Sequence, residues 1–419
     1  LIKNLNKISK DNMHIQGNLP FQPAGPPMGG VVPFQTQGPI PISQPNTTVN
    51  PDEQKLPRFI NYYADYSGCG HWRMIWPEQV MNAHQKAVVH GTTVMNIDER
   101  YYIDCKGIRI QRQATPQQMQ FVKFLRQLCD KKNMRLIYEI DDVCFREDIP
   151  DYNKYKTAFE NDDIRNSSQE MMAMCDEITV TCDFMRDYYR SKTGNKNVTV
   201  LPNFMPKFWI GRFNDLNRTM QSLEKNKRKP RILYSGSGAH FDVEQRVKFK
   251  DDFYHVNDVI RKTVDKYQWV FMGGHPLPLM DLIQSGKIEF HPWAKLFDYG
   301  QALYNLNVNM MVAPLQDNIF NRSKSDLKYI EAGALGLPIA CQDMCTYKNA
   351  PIKFKTGDEM IDQIDATLKD TKRYKSLCKK ANNYAQTRWL EDDKNIDCYT
   401  ELYQYDVNDP RRVNLSRYN

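Results

Sequence analysis

The sequence predicts an α/β protein built from two similar halves, each a parallel sheet covered by helices, with a proline-rich tail in front and helices behind. Three observations carry this. Short β-branched runs alternate with helical stretches, the pattern of parallel strands joined by helical crossovers. The pattern stops in a polar, basic stretch over residues 206–229 and restarts after it. A chain of 419 residues also exceeds what a single core ordinarily serves, so two domains plus a tail is the starting expectation.

In chain order, residues 1–57 read as the tail: from residue 17 they are rich in Pro, Gly and Gln, nearly uncharged, and without helical or strand period. Such a tail is an extended strap on the domains or a recruiting segment. The first α/β half is expected over residues 58–205. Its strands are carried by "RFINYYADYSG", "AVVHGTT", "GIRIQRQ", "RLIYEIDD", "EITVTCD" and "NVTVLPNFMP", with a helix from Pro116 to Lys132. After a linker over 206–229, the second half spans 230–372. Its strands are "RILYSGSG", "YQWVFMGG", "IEFHPW", "VNMMVAPL" and "LPIAC", with helices near 252–267, 295–305, 325–335 and 357–369. Residues 373–419 read as a helical tail, continuous from Tyr374 to about Tyr405.

Bulk composition narrows the class. Hydrophobic content of 41% is enough to fill real cores, and 57 basic against 50 acidic residues leave +7, which permits an anionic partner without demanding one. The ten cysteines form no C-x-x-C pair, so no zinc knuckle or thioredoxin-type motif is expected, and free thiols in a reducing cytoplasm are. No apolar run reaches eighteen residues and no secretory signal pattern opens the sequence; a soluble, cytoplasmic protein without a membrane partner is expected.

Ligands of open α/β sheets bind beyond the carboxyl ends of the strands, so the motifs there weigh most. In "SGSGAHFD", Gly236, Ser237 and Gly238 let backbone amides approach an anion, although a plain tight turn reads the same; His240 is a candidate for a phosphate or a sugar hydroxyl. In "NIFNRSKSDLKYIEAGALGLP", a helix starting near Ser323, with Ser323 as its cap, places Lys324, Lys328 and Glu331 on one face. Its first turn, which includes Ser325, then offers free amides and a positive dipole end beside two lysines, a combination suited to a diphosphate. Glu331 is placed to accept two hydroxyl protons, as a ribose edge presents, while Ala332, Gly333, Ala334 and Gly336 keep the helix thin. A solvated face with a Lys328/Glu331 pair is the plain alternative. In the first half, "YADYSGCGHWRMIWP" carries Gly68, Gly70, His71, Trp72 and Arg73, and "YEIDDVCF" carries Asp141 and Asp142, which bind a sugar or cap a turn.

"FNRSKSDLKYIEAGALGLPIAC", preceded by a strand and "PL", resembles the donor-site helix of GT-B glycosyltransferases, in the retaining nucleotide-sugar clan that includes sucrose and glycogen synthases. "YSGSGAHFDVE" is similar to the loop that opens the donor domain in that clan, and "CDEITVTCDFMRDYYRSKTGNKNVTVLPNF" to the end of its acceptor domain. The resemblance spans roughly residues 58–405. It implies two Rossmann-like domains facing a central cleft, with a C-terminal helical crossover. It further implies a UDP-sugar donor, Lys324 and Lys328 on the diphosphate, Glu331 on the ribose, and His71 and Arg73 near the reacting centre. No metal and no tightly bound cofactor is implied. One position departs: the clan often has a second glutamate eight positions before the ribose glutamate, where this chain has Ser323.

The texture of the whole chain also resembles glycosyltransferases of T-even-like bacteriophages, which implies transfer of arabinose or glucose from UDP-arabinose or UDP-glucose to 5-hydroxymethylcytosine in double-stranded DNA. The basic cluster "EKNKRKPR" fits a polyanionic acceptor, and Trp72 and Trp76 are candidates to stack on an exposed base. A surface glycan or lipid as acceptor stays open, as does a non-catalytic nucleotide- or DNA-binding scaffold, for which Ser323 is the best support.

Overall fold

In the first half, six fully parallel strands form one sheet: β1 (Arg58–Tyr62), β2 (Val88–Thr92), β3 (Cys105–Gln111), β4 (Arg135–Glu139), β5 (Glu177–Val180) and β6 (Val198–Val200), in the order β2-β1-β3-β4-β5-β6. This is a computed structural model, and it describes residues 56–213, 215–216 and 228–404. The proline-rich tail up to residue 55, residues 214 and 217–227 of the linker, which include half of "EKNKRKPR", and residues 405–419 lie outside the described residues. All five residues of β4 are buried, and its centre, Leu136 to Tyr138, is apolar without alternation: helices cover both faces of a parallel sheet.

The second sheet comprises β7 (Arg231–Gly236), β8 (Gln268–Gly273), β9 (Glu289–His291), β10 (Met310–Ala313), β11 (Ile339–Gln342) and β12 (Ile352–Phe354), all parallel, in the order β12-β11-β10-β7-β8-β9. That order has its switch point between β7 and β10, where doubly wound sheets hold their ligands.

Local sequence explains the helices. Thr115 accepts from the Gln118 N–H at 3.2 Å while the Gln118 side chain accepts from the Thr115 N–H at 2.9 Å, and this reciprocal cap opens the helix Pro116–Lys132. Its buried stripe of Met119, Val122, Leu125 and Cys129 follows the helical period, and each large apolar side chain so buried contributes roughly 1.5–3 kcal/mol. Asn133, at φ 52°, ends it. The helix expected near 252–267 is shorter, Asn257–Thr263, because Asp251 and Asp252 turn inward to accept hydrogen bonds instead of capping it.

The C-terminal helix is not continuous. It breaks into Thr371–Gln386 and Asp393–Gln404 around Trp389, whose neighbour Leu390 bonds back to Met205 at 2.9 Å. The last helix thereby returns to the first half, where Tyr403 stacks on Phe59 and its hydroxyl donates to Asn61. Among the described residues no helix is long and apolar enough to cross a membrane.

The carboxyl ends of the two sheets face each other. Asp142, beyond β4, meets Lys324, beyond β10; Asn203, beyond β6, donates to Ser325 Oγ at 2.9 Å; and Asp183, beyond β5, meets Lys348 at 2.9 Å.

Candidate functional site

β7 runs straight into the glycine loop. Ser237 Oγ accepts from the Ala239 N–H at 3.3 Å and opens a single 3-10 turn, Gly238–His240. His240 Nδ1–H then donates to Asp252 Oδ2 at 2.7 Å. Asp252 is fully buried, and its other oxygen accepts from the Tyr152 hydroxyl at 2.7 Å, the Gln316 N–H at 2.9 Å and Asn321 Nδ2 at 2.6 Å. One carboxylate thus ties together the glycine loop, the 316–321 segment and a tyrosine from the opposite half. Burial lowers the His240 pKa and Lys328 and Lys324 add to that, against the pull of Asp252, so the ring is neutral near pH 7 with Nε2 as its free acceptor.

The charged stretch departs from the sequence reading at its start. Asn318 caps a separate short helix, Ile319–Arg322, by accepting from the Asn321 N–H at 2.8 Å, and Ser323 closes that helix instead of opening the next. Ser323 is fully buried and its hydroxyl donates to the Ile319 carbonyl at 2.8 Å, so it does not cap the next helix. The next helix is Leu327–Ala334, with Asp326 at its N-cap position. Only Lys328 and Glu331 of the expected stripe lie on it. Lys324 sits before it, half-buried, its Nζ 2.6 Å from Asp142 and 3.9 Å from the centre of the Phe320 ring. Ser325, also before the helix, receives the Asn203 amide.

Lys328 does not form the plain i, i+3 pair. Its Nζ donates to the Ser235 carbonyl at 2.5 Å and lies 4.9 Å over the Tyr234 ring, and burial lowers its pKa. Glu331 is 5% exposed, and burial raises its pKa to about 7 even with Lys328 and the Tyr299 hydroxyl, 3.2 Å away, pulling it down. That hydroxyl also bonds Ser235 Oγ at 3.0 Å. β7 and the helix are therefore clamped together by a polar chain at the strand end. The small residues do let the helix pack: a Cβ at Gly333 would fall 2.1 Å from the Ala381 carbonyl oxygen of helix Thr371–Gln386, and Gly336, at φ 71°, turns the chain out of the helix.

The first-half residues divide. His71 is at the meeting of the halves, its ring edge-on to Trp76 and to Phe297 of the second half, with Nδ1–H donating to the Ser67 carbonyl at 2.9 Å; burial lowers its pKa. Gly68 opens that turn, and Gly70 passes so close to the Asp65 carbonyl that no Cβ fits. Arg73 corrects the expectation. It has no exposed surface, and its guanidinium is spent on Glu139 at 2.6 and 3.3 Å and on the Leu201 and Asn203 oxygens at 2.8 Å, so it holds β4 to the chain beyond β6 and reaches no ligand. Trp72 and Trp76 are likewise buried, packed on each other and on Trp209, and present no face to a base. Asp141 is held by Arg112 Nε at 2.7 Å; burial works to raise its carboxyl, but the guanidinium prevails and holds it below the usual range. Asp142 alone of the acidic pair reaches across to Lys324.

Asp252, Tyr152, Asn321 and Tyr299 escaped the sequence reading. Tyr299 sits in an apolar-looking helix, Leu296–Asn305, and Tyr152 bonds a partner 100 positions away; only three-dimensional proximity singles them out.

No family model matches the chain, and no curated protein matches it. Among solved structures, a glycosyltransferase from Rickettsia africae ESF-5 is similar over 83% of this chain and 99% of its own, at TM-score 0.55 and 10% identity. The UDP complex of Alr3699/HepE from Anabaena is similar over 82% of this chain and 98% of its own, at TM-score 0.54 and 9% identity. This chain has the GT-B fold. The UDP-glucose complex of the same Anabaena protein, at TM-score 0.53 and 10% identity, shares that arrangement over 82% of this chain and 98% of its own.

Proposed function

We propose that this protein transfers a sugar from a UDP-sugar to an acceptor hydroxyl. The observation that carries the reading is the cluster at the switch point of the second sheet: the glycine loop, Lys328 and the buried Glu331 around Ser235, with Lys324 at the rim. UDP and UDP-glucose bound to a protein of the same fold support it. In this reading Lys324 and Lys328 meet the diphosphate, and Glu331 accepts the ribose hydroxyls. Gly236, Ser237 and Gly238 lend backbone amides, and His240 offers Nε2 to a sugar hydroxyl.

Breaking the anomeric bond spreads positive charge onto the sugar and negative charge onto the departing phosphate. Fixed cations at that phosphate stabilise the leaving charge in a water-poor cleft, and removing one such donor typically costs on the order of a hundredfold in rate. The reaction proceeds with retention and without a divalent metal, the departing phosphate taking the acceptor's proton while His71 and Asp142 border the acceptor side.

For the acceptor, 5-hydroxymethylcytosine in duplex DNA fits the net charge of +7 and the resemblance to phage enzymes, with arabinose or glucose as the sugar. The protein is incubated with hydroxymethylated DNA and a panel of UDP-sugars, and the DNA is digested to nucleosides for mass spectrometry. Added pentose or hexose mass names donor and acceptor together. An unmodified nucleoside with every donor refutes DNA as acceptor, and absence of UDP binding refutes the donor site itself.

A further inference from the structure

The segment between β4 and β5 does more than connect them. After β4 the chain leaves the first half, and Tyr152, only 3% exposed, plugs into the second half: its hydroxyl donates to Asp252 and receives Asn318 Nδ2 at 3.2 Å and Asn321 Nδ2 at 3.0 Å. Asn153 follows at once, accepting from the Tyr155 N–H at 2.9 Å to start the 3-10 turn Lys154–Phe159. Anchor and turn together aim the next side chain at the glycine loop. A Cβ built on Gly238 would lie 3.3 Å from Lys154 Nζ, 3.4 Å from Cε and 3.9 Å from Cδ, so the lysine stem lies along the loop with its ammonium at Gly238.

Lys154 differs from its neighbours in being uncommitted. Lys156, two positions on, is paired with Asp151 at 2.7 Å, and Lys324 with Asp142 at 2.6 Å. Among the described residues Lys154 makes no ion pair, and its ammonium has only the Tyr155 ring, 5.0 Å away. Asp252, the buried carboxylate that anchors Tyr152, is already filled by four donors. A half-buried ammonium, held over a loop whose glycine leaves room for it, is a cation waiting for an anion.

We propose that Lys154 is a phosphate-binding residue of the donor site, supplied by the opposite half, so that the diphosphate is gripped from both sides of the cleft, by Lys154 on one and Lys324 and Lys328 on the other. Tyr152 and Asp252 are its positioning residues. This rests on the UDP-sugar reading and adds to it a residue that the donor half does not contain. It also makes the donor site complete only when the two halves are together.

Titration calorimetry of the full chain with UDP and with uridine tests it, using wild type, Lys154→Met and Lys154→Arg, with melting temperatures as a folding control. Losing one charge-assisted phosphate contact is expected to weaken UDP by roughly tenfold. Uridine binding should be unchanged in Lys154→Met, and Lys154→Arg should restore most of the UDP affinity. UDP binding as tight in Lys154→Met as in wild type overturns the role of Lys154 alone. An equal loss for UDP and uridine overturns it too, since that marks a displaced strap and not a lost phosphate contact. Wild type that binds no UDP overturns the donor-site reading and this proposal with it.

Discussion

Replacing Glu331 by glutamine should stabilise the unliganded protein at neutral pH and impair it as a UDP binder. The carboxyl is 5% exposed, and burial lifts its pKa from 4.5 to about 7. Below pH 4.5 it is protonated in both folded and unfolded states and carries no penalty. Between about 4.5 and 7 the unfolded chain releases the proton while the folded one retains it, so stability falls as pH rises and levels off above about 7. At 1.36 kcal/mol per pH unit the gap amounts to about 3 kcal/mol. Glutamine keeps the shape without the charge and escapes that penalty. Thermal unfolding of wild type and Glu331→Gln from pH 4.5 to 8.5 should therefore show curves that coincide at the acid end and diverge above it, the variant several degrees higher at pH 8. Ribose hydroxyls donate to the ionised form, so UDP binding to wild type near pH 6.5 should expel a proton, seen as a dependence of calorimetric heat on the buffer's ionisation enthalpy, and the variant should bind more weakly and expel none. A variant less stable than wild type at pH 8, or equal to it at every pH, would refute the reasoning.

Two further outcomes follow from pairs that join distant segments. Asp142→Asn frees Lys324, and because a partly exposed pair of this kind is worth about 1 kcal/mol or less, UDP should bind up to about fivefold more tightly by calorimetry; unchanged or weaker binding would show that Asp142 does not compete with the phosphate. Arg73→Ala leaves Glu139 buried beside Arg109 without its bidentate partner, a change that costs about 3–5 kcal/mol and should appear as a lower urea midpoint; a variant of normal stability and lost activity would return Arg73 to the reacting centre.

What the sequence made legible is what a period or a local run encodes. Six first-half strands were visible from short apolar or β-branched runs, such as the "LIY" at the centre of β4, whereas β12 is only "IKF", its two apolar residues split by a lysine. The relation of Lys328 to Glu331 survived because it is one helical turn, and Gly333 because close helix packing demands a small residue. The cap at Ser323 and the place of Lys324 on the helix were misread for a local reason with an unobvious signal: Asn318 captures the Asn321 N–H and closes one short helix before the next begins. Arg73 and His71 are two positions apart in one helical segment, His71–Ile75, yet one is consumed by a glutamate 66 positions away and the other lies between the halves. Charge chemistry at this site is thus settled by partners that no local pattern announces: Glu139 takes Arg73 out of it, Asp142 holds Lys324 at its rim, and Asp252 brings Tyr152, and Lys154 after it, across from the other side. Arg73 is fully buried and held by Glu139, whereas Lys154 has no carboxylate partner among the described residues and lies against the glycine loop, so Lys154 has a stronger claim on a ligand than Arg73, which the sequence alone preferred.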